Sequence, residues 1–187
     1  MTAEGFALVT GASRGIGRAI ALALAGRGYD LGIHYYTRQD AAEQVLAEVR
    51  DRGASGFTVS ADVTQDDQVR GMIERVEAEF GALDVLVHNA RPELAEFYQA
   101  PLQLSAKAWA AAVDSQAAAF LAAVQAAEPL LRPGARVVAV TYSPSTRTGS
   151  WQPWAAMGSA KAGPAERPQC LEQAERGRGG VVADHAG

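Results

Sequence analysis

The segment Phe6-Ala7-Leu8-Val9-Thr10 runs without a break into Gly11-Ala12-Ser13-Arg14-Gly15-Ile16-Gly17 and then into Arg18-Ala19-Ile20-Ala21-Leu22-Ala23-Leu24. A short apolar run, closely spaced glycines and then helical periodicity read as a strand, a tight turn and a helix start. The first amides of a helix have no partner within it, and the helix dipole adds partial positive charge at the same place. Glycines there leave no Cβ between backbone and ligand, so the segment suits the diphosphate of a dinucleotide. A turn of this kind belongs where a parallel strand feeds a helix packed on its sheet.

The rest of the chain agrees. Strand-like runs at Phe6–Thr10, Leu31–Tyr35, Gly56–Ser60, Leu83–His88 and Arg136–Thr141 alternate with helical spacing near Gly15–Gly28, Asp40–Arg52, Asp66–Phe80 and Ser105–Leu131. Alternation with near-continuous apolar strands predicts a parallel sheet covered on both faces. Right-handed crossovers then favour a doubly wound, Rossmann-like α/β fold in three α/β/α layers, strand order 3-2-1-4-5. Ligands of such a sheet sit beyond the carboxyl ends of the strands, an edge that here carries Gly11, Tyr36, Asp62, Asn89 and Tyr142.

With 187 residues, 48% of them hydrophobic and 20% charged, the chain suits one core. Its net charge of −4 argues against a nucleic-acid partner. Cys170 is alone, and His34, His88 and His185 are scattered without ligand spacing, so no disulfide and no metal site are expected. Neither a leader nor an apolar stretch approaching ~18 residues is read, which predicts a cytoplasmic protein with no membrane partner. After Lys161 the composition shifts: Pro164 and Pro168 would interrupt a helix, and the glycine-rich end offers only Val181-Val182 as an apolar pair. The expectation is a nucleotide-binding domain over 1–162 and a poorly ordered tail over 163–187.

Over roughly Phe6 to Ala162 the chain resembles the short-chain dehydrogenase/reductase family. Thr10-Gly11-Ala12-Ser13-Arg14-Gly15-Ile16-Gly17 is similar to that family's Thr-Gly-x-x-x-Gly-x-Gly turn. Ala61-Asp62-Val63 looks like its adenine clamp after the third strand. Leu83-Asp84-Val85-Leu86-Val87-His88-Asn89-Ala90 looks like its fourth strand and Asn-Asn-Ala-Gly end, with His88 replacing the first Asn and Arg91 the Gly. The resemblance implies a cofactor site of Gly11, Ser13, Arg14, Gly15, Ile16, Gly17, Arg38, Asp62, Val63, Asn89, Ala90 and Lys161. Relatives that use NAD place an acid at the end of the second strand. Here Ile33-His34-Tyr35-Tyr36-Thr37-Arg38 has none, while Arg14 and Arg38 could pair a 2′-phosphate, so NADP is preferred over NAD.

The catalytic pattern departs from the family's. The resemblance implies a proton-donating Tyr four residues before a Lys, with a Ser on the substrate oxygen and an Asn supporting a relay water. Lys161 is readily placed in Met157-Gly158-Ser159-Ala160-Lys161-Ala162, yet the Tyr position holds Met157, whose thioether donates no proton. The segment Ala156–Ala162 is similar to enoyl-acyl-carrier-protein reductases, whose Tyr lies seven residues before the Lys, with a second Tyr just after the fifth strand. Trp154 stands at the nearer position and Tyr142 fits the farther one. The relay position falls on Gln116, and the Ser position on Thr141, Tyr142 or Ser143. Two readings stay open. In the first, Tyr142, Lys161, Ser143 and Gln116 serve an NADPH-dependent reductase of an enoyl or 3-oxoacyl thioester, as in fatty acid biosynthesis, with Arg91, Trp151, Trp154 and Met157 lining the substrate pocket. In the second, Trp151, Trp154 and Met157 are packing residues of a nucleotide-binding relative with a structural or regulatory role. The family usually continues through further helices and a last strand, and the shift near Gly163 is what a C-terminal truncation or a change of reading frame would produce. A homodimer or homotetramer through the Ala-rich helix Ser105–Leu131 is implied, although the alanines are equally explained by helix propensity.

Overall fold

Strands that are apolar along their whole length need cover on both faces, and this chain supplies helices for each. A computed structural model describes residues 3–91, 100–142 and 179–186, with backbone alone at 101, 114, 142 and 179–186. The elements in chain order are β1 (Gly5–Val9), α1 (Gly15–Ala25), β2 (Tyr29–Tyr35), α2 (Gln39–Asp51) and β3 (Gly56–Ser60). They continue with α3 (Asp66–Phe80), β4 (Leu83–His88), α4 (Ala106–Ala127), β5 (Leu131–Tyr142) and β6 (Gly179–Ala186). Every pairing in the sheet is parallel, in the order β3-β2-β1-β4-β5-β6. The expected 3-2-1-4-5 order is therefore present, and the winding reverses between β1 and β4, where the ligand crevice of such a sheet opens.

Helix periodicity places the core. α2 buries Ala42, Val45, Leu46 and Val49, and α3 buries Val69, Met72, Ile73 and Val76, each set one stripe at i, i+3, i+4, i+7. α1 buries Gly17, Ala21 and Ala25, four residues apart, so a side without bulk lets this helix lie close to the strands. One cluster joins Leu8, Phe57, Met72, Leu86, Phe120 and Val137, putting α3 and α4 on one face. The other joins Ala7, Val9, Leu31 and Ile33 to residues of α1 and α2 on the opposite face.

Two findings differ from the sequence expectations. The helical run Ala106–Leu130 is long and apolar enough, by length and composition, to cross a membrane, although no such stretch was expected. Alanine is the reason: each one is only weakly apolar, and the length of the run makes up the sum. Ala112, Ala119, Phe120, Ala123, Val124 and Ala127 of α4 are buried, which is the pattern of a core helix. The second difference lies in the segment 163–187, where no strand was expected. Within it, β6 pairs with β5 from Ala135↔Gly179 to Tyr142↔Ala186, setting Val181 and Val182 beside Val137 and Val138. An unpaired edge on β5 would leave a row of backbone donors and acceptors open, and satisfying them needs backbone rather than bulk.

At the amino ends of the strands, the β4–β5 ladder shifts register between Leu83 and Val85. Asp84 sits at this irregularity, its Oδ2 accepting from Phe6 N at 2.8 Å and lying 3.1 Å from Arg132 Nη1. The Arg132 guanidinium also covers the Phe6 ring, 5.0 Å from its centroid. The ion pair is partly solvated and contributes little, whereas the amide of Phe6 depends on the carboxylate. Asp84→Ala is expected to cost ~1–2 kcal/mol and Arg132→Ala less than about 1 kcal/mol, read by urea unfolding. Equal losses would show that the ion pair, not the amide, carries the contact.

Candidate cofactor and active site

The turn after β1 adopts a conformation that glycine makes accessible: φ is +65° at Gly11 and +57° at Gly15. Close approach is the second demand. A Cβ on Gly11 would come within 2.9 Å of Ala90 Cα, and one on Gly17 would collide with Gly11 O and lie 2.6 Å from Asn89 Nδ2. The Arg14 side chain makes no capping hydrogen bond to the first turn of α1, and that turn carries no acid. The leading amides of α1 thus meet no carboxylate of their own turn, the setting an anion needs. Ser13 is half-buried, and Ile16 projects into solvent.

Thr10 and Asn89 join this turn to the end of β4. The Thr10 side chain, 0% exposed, donates from Oγ1 to Val87 O at 3.2 Å and accepts from the amides of Asn89 and Ala90, both at 3.0 Å. Asn89 Nδ2 in turn donates to Thr10 O at 3.0 Å and to Gly11 O at 3.1 Å. Thr10→Val keeps the shape but strands two amides, so a loss of ~2–3 kcal/mol is expected in chemical denaturation. A loss near zero would mean that water replaces the hydroxyl.

The segment that follows β3 is equally ordered. Asp62 is half-buried after β3, its Oδ1 accepting from Thr64 N at 3.0 Å and Thr64 Oγ1 at 2.8 Å, while its own amide donates to Gln68 Oε1 at 2.7 Å. Val63 is buried against Ala90 and Ala119, which brings the β3 end, the β4 end and α4 together. Beyond β2, Tyr36, Thr37 and Arg38 are exposed, and Arg38 caps α2 without a side-chain hydrogen bond. No carboxylate stands in that stretch, so the residues present fit a dinucleotide and tolerate a phosphate on its ribose.

Comparison with known proteins places this geometry. A family model described as Enoyl-(Acyl carrier protein) reductase matches residues 11–166. The chain belongs to the short-chain dehydrogenase/reductase family. It is 50% identical over 84 residues, 45% of its length, to 3-oxoacyl-[acyl-carrier-protein] reductase FabG of Staphylococcus epidermidis, and matches 34% of that protein. It is 34% identical over 155 residues, 83% of its length, to 1-cyclohexenylcarbonyl-CoA reductase of Streptomyces collinus, matching 54% of that protein. The chain thus spans about a third to a half of these curated relatives. Among solved structures, a short-chain dehydrogenase from Burkholderia cenocepacia J2315 in complex with NADP superposes with a TM-score of 0.85 at 31% identity, covering 98% of this chain and 74% of that one.

In this short-chain dehydrogenase/reductase the structure brings Gly11, Gly17, Val63, Asn89 and Ala90 together at the carboxyl edge. Arg14 is exposed and Arg91 half-buried. Gln116, 3% exposed on α4, has an amide nitrogen with no hydrogen-bond partner among the described residues. Tyr142 is the last residue of β5, with its backbone alone described. Ser143, Trp151, Trp154, Met157 and Lys161 lie outside the described residues. Two residues escaped the sequence reading. Thr10 stood inside the quoted turn motif without a role, and His34 counted as a scattered histidine. The available signal was a polar residue next to the end of an otherwise apolar strand, a place where a side chain must find buried partners.

Proposed function

We propose that the chain is an NADPH-dependent reductase that acts on an enoyl or 3-oxoacyl group held as a thioester. The observation that carries this reading is the glycine turn packed on Asn89 and Ala90 beside a β2 end free of carboxylate. The names of two relatives support the substrate class: one acts on an acyl-carrier-protein thioester and one on a CoA thioester. NADP in the superposed Burkholderia structure supports the cofactor. Preference for NADP over NAD follows from charge, since Arg14 and Arg38 would face the 2′-phosphate.

The bound cofactor supplies the hydride. The chain's own part begins at the leading amides of α1, which hold the diphosphate, and at Asp62 and Val63, which hold the adenine. Tyr142 gives its phenolic proton to the substrate oxygen and Ser143 binds that oxygen. Lys161 holds the ribose and favours the phenolate left behind. Gln116 anchors the water that returns the proton. Arg91, Trp151, Trp154 and Met157 shape the acyl pocket. Trp109 and Leu121, each 42% exposed on α4, support association of two or four copies, and the enzyme acts in the cytoplasm.

Met157 and Trp154 at the family's tyrosine positions favour a second reading, a nucleotide-binding relative without turnover. Both readings are tested by following NADPH absorbance with a panel of enoyl and 3-oxoacyl thioesters, beside calorimetry of NADPH binding. Turnover is expected. Binding without turnover above background selects the second reading, and neither binding nor turnover overturns both.

A further inference from the structure

His34 lies at the next-to-last position of β2 and is 2% exposed. Gly11 N donates to its Nδ1 at 2.9 Å, and its Nε2 lies 3.0 Å from Ala61 O. A carbonyl only accepts and an amide N–H only donates, so the proton sits on Nε2 and a lone pair on Nδ1. The neutral ring in that tautomer is the one state that satisfies both contacts. The backbone of the same residue takes part, because Ala12 N donates to His34 O at 2.8 Å. Two successive turn residues, Gly11 and Ala12, are thus fixed by His34, and Ala61 directly precedes Asp62 and Val63.

We propose that His34 is a positioning residue for the dinucleotide, its neutral imidazole setting the glycine turn against the adenine loop, so that protonating the ring loosens the turn and weakens binding. This rests on the NADP reading above. A cationic ring carries N–H on both nitrogens, and Nδ1–H would then point at Gly11 N–H across 2.9 Å. Burial holds the ring below its ordinary value of 6.5, against the pull of the Ala61 carbonyl and the Asp62 charge. Asp62 is the charged group acting on it. The flanking strands β1 and β3 and the turn residues 10–13 carry no ionisable side chain. The neutral ring is therefore fully present above pH 6.5 and is lost as pH falls through the lowered value.

The test compares wild type, His34→Gln and His34→Leu. Glutamine can accept from Gly11 and donate to Ala61 but does not titrate; leucine can do neither. At pH 8, calorimetry with NADP+ should find His34→Gln within about threefold of wild type and His34→Leu at least about tenfold weaker, as loss of a buried hydrogen-bond pair implies. As pH falls below 6.5, wild type should lose affinity relative to His34→Gln, a ratio that cancels titration of the 2′-phosphate near about 6. Imidazole nitrogen shifts of the free protein should report the Nε2–H tautomer, and the Gly11 amide should exchange faster in His34→Leu than in wild type or His34→Gln. Equal affinity of wild type and leucine variant, or a pH-independent ratio of wild type to His34→Gln, overturns the proposal. If the leucine variant does not fold, that ratio and the tautomer still decide it. Absence of NADP+ binding by folded wild type rejects the cofactor reading instead, and the tautomer and Gly11 exchange then judge whether His34 holds the turn.

Discussion

Gly17→Ala is expected to lower NADP+ affinity by at least about 100-fold, close to 2.7 kcal/mol, and to cost a further ~1–3 kcal/mol of stability. The added methyl would collide with Gly11 O and stand 2.6 Å from Asn89 Nδ2. Neither neighbour can give way cheaply. Gly11 O is backbone of the turn itself, and Asn89 Nδ2 is committed to the carbonyls of Thr10 and Gly11. The strain therefore moves α1 away from the sheet and takes its leading amides off the diphosphate. Gly15 makes the contrasting case. It has φ of +57° but, among the described residues, nothing within 4 Å of the place a Cβ would take, so Gly15→Ala should cost only conformational strain of about 1–2 kcal/mol, with affinity within about tenfold of wild type. Calorimetry and urea unfolding of the two variants separate the effects. Comparable affinity for Gly17→Ala and wild type would mean that the turn is not the diphosphate cradle.

Local pattern and the handedness of crossovers made the elements and the 3-2-1-4-5 order readable in advance, whereas individual side-chain contacts between distant residues and the β5–β6 pairing were not. β3, β4 and α3 fall on the residues that period and composition indicate, because an apolar run between turn residues and an i, i+3, i+4, i+7 stripe are local facts. The glycine turn was legible for the same reason, since φ and close approach both demand glycine there. His34 was not, because nothing in β2 announces that Gly11, twenty-three residues earlier, will aim its amide at that ring. Thr10 was half legible: the motif contains it, while its partners Val87, Asn89 and Ala90 come from the other side of the winding reversal. β6 was hidden by composition, because glycines and a lone valine pair read as poor core while strand pairing draws on backbone groups that every residue carries.

Tyr142→Phe is expected to slow thioester-dependent NADPH oxidation by ~10²–10⁴-fold, the usual contribution of a placed acid, with NADPH affinity unchanged. Trp154→Phe should leave most of the turnover in place, because phenylalanine keeps an aromatic wall on the acyl pocket and the indole transfers no proton. In the β4–β5 ladder His88 pairs with Ala139, so β5 runs three residues past the end of β4 and carries Tyr142 out to the level of the crevice rim. Asn89 and Ala90, which follow His88, pack on the glycine turn, so this rim borders the cofactor side of the sheet. A phenol can donate a proton and recover it. An indole donates a hydrogen bond only, and a thioether accepts weakly, so the proposed function assigns to Tyr142 the proton transfer that Trp154 and Met157 cannot supply. Phenylalanine keeps the ring and removes the proton, so the defect should appear in kcat with KM for NADPH held. If Trp154→Phe abolished turnover while Tyr142→Phe preserved it, the acid would have to be sought at the indole's neighbours, and the β5 rim would be a wall of the pocket instead of its working edge.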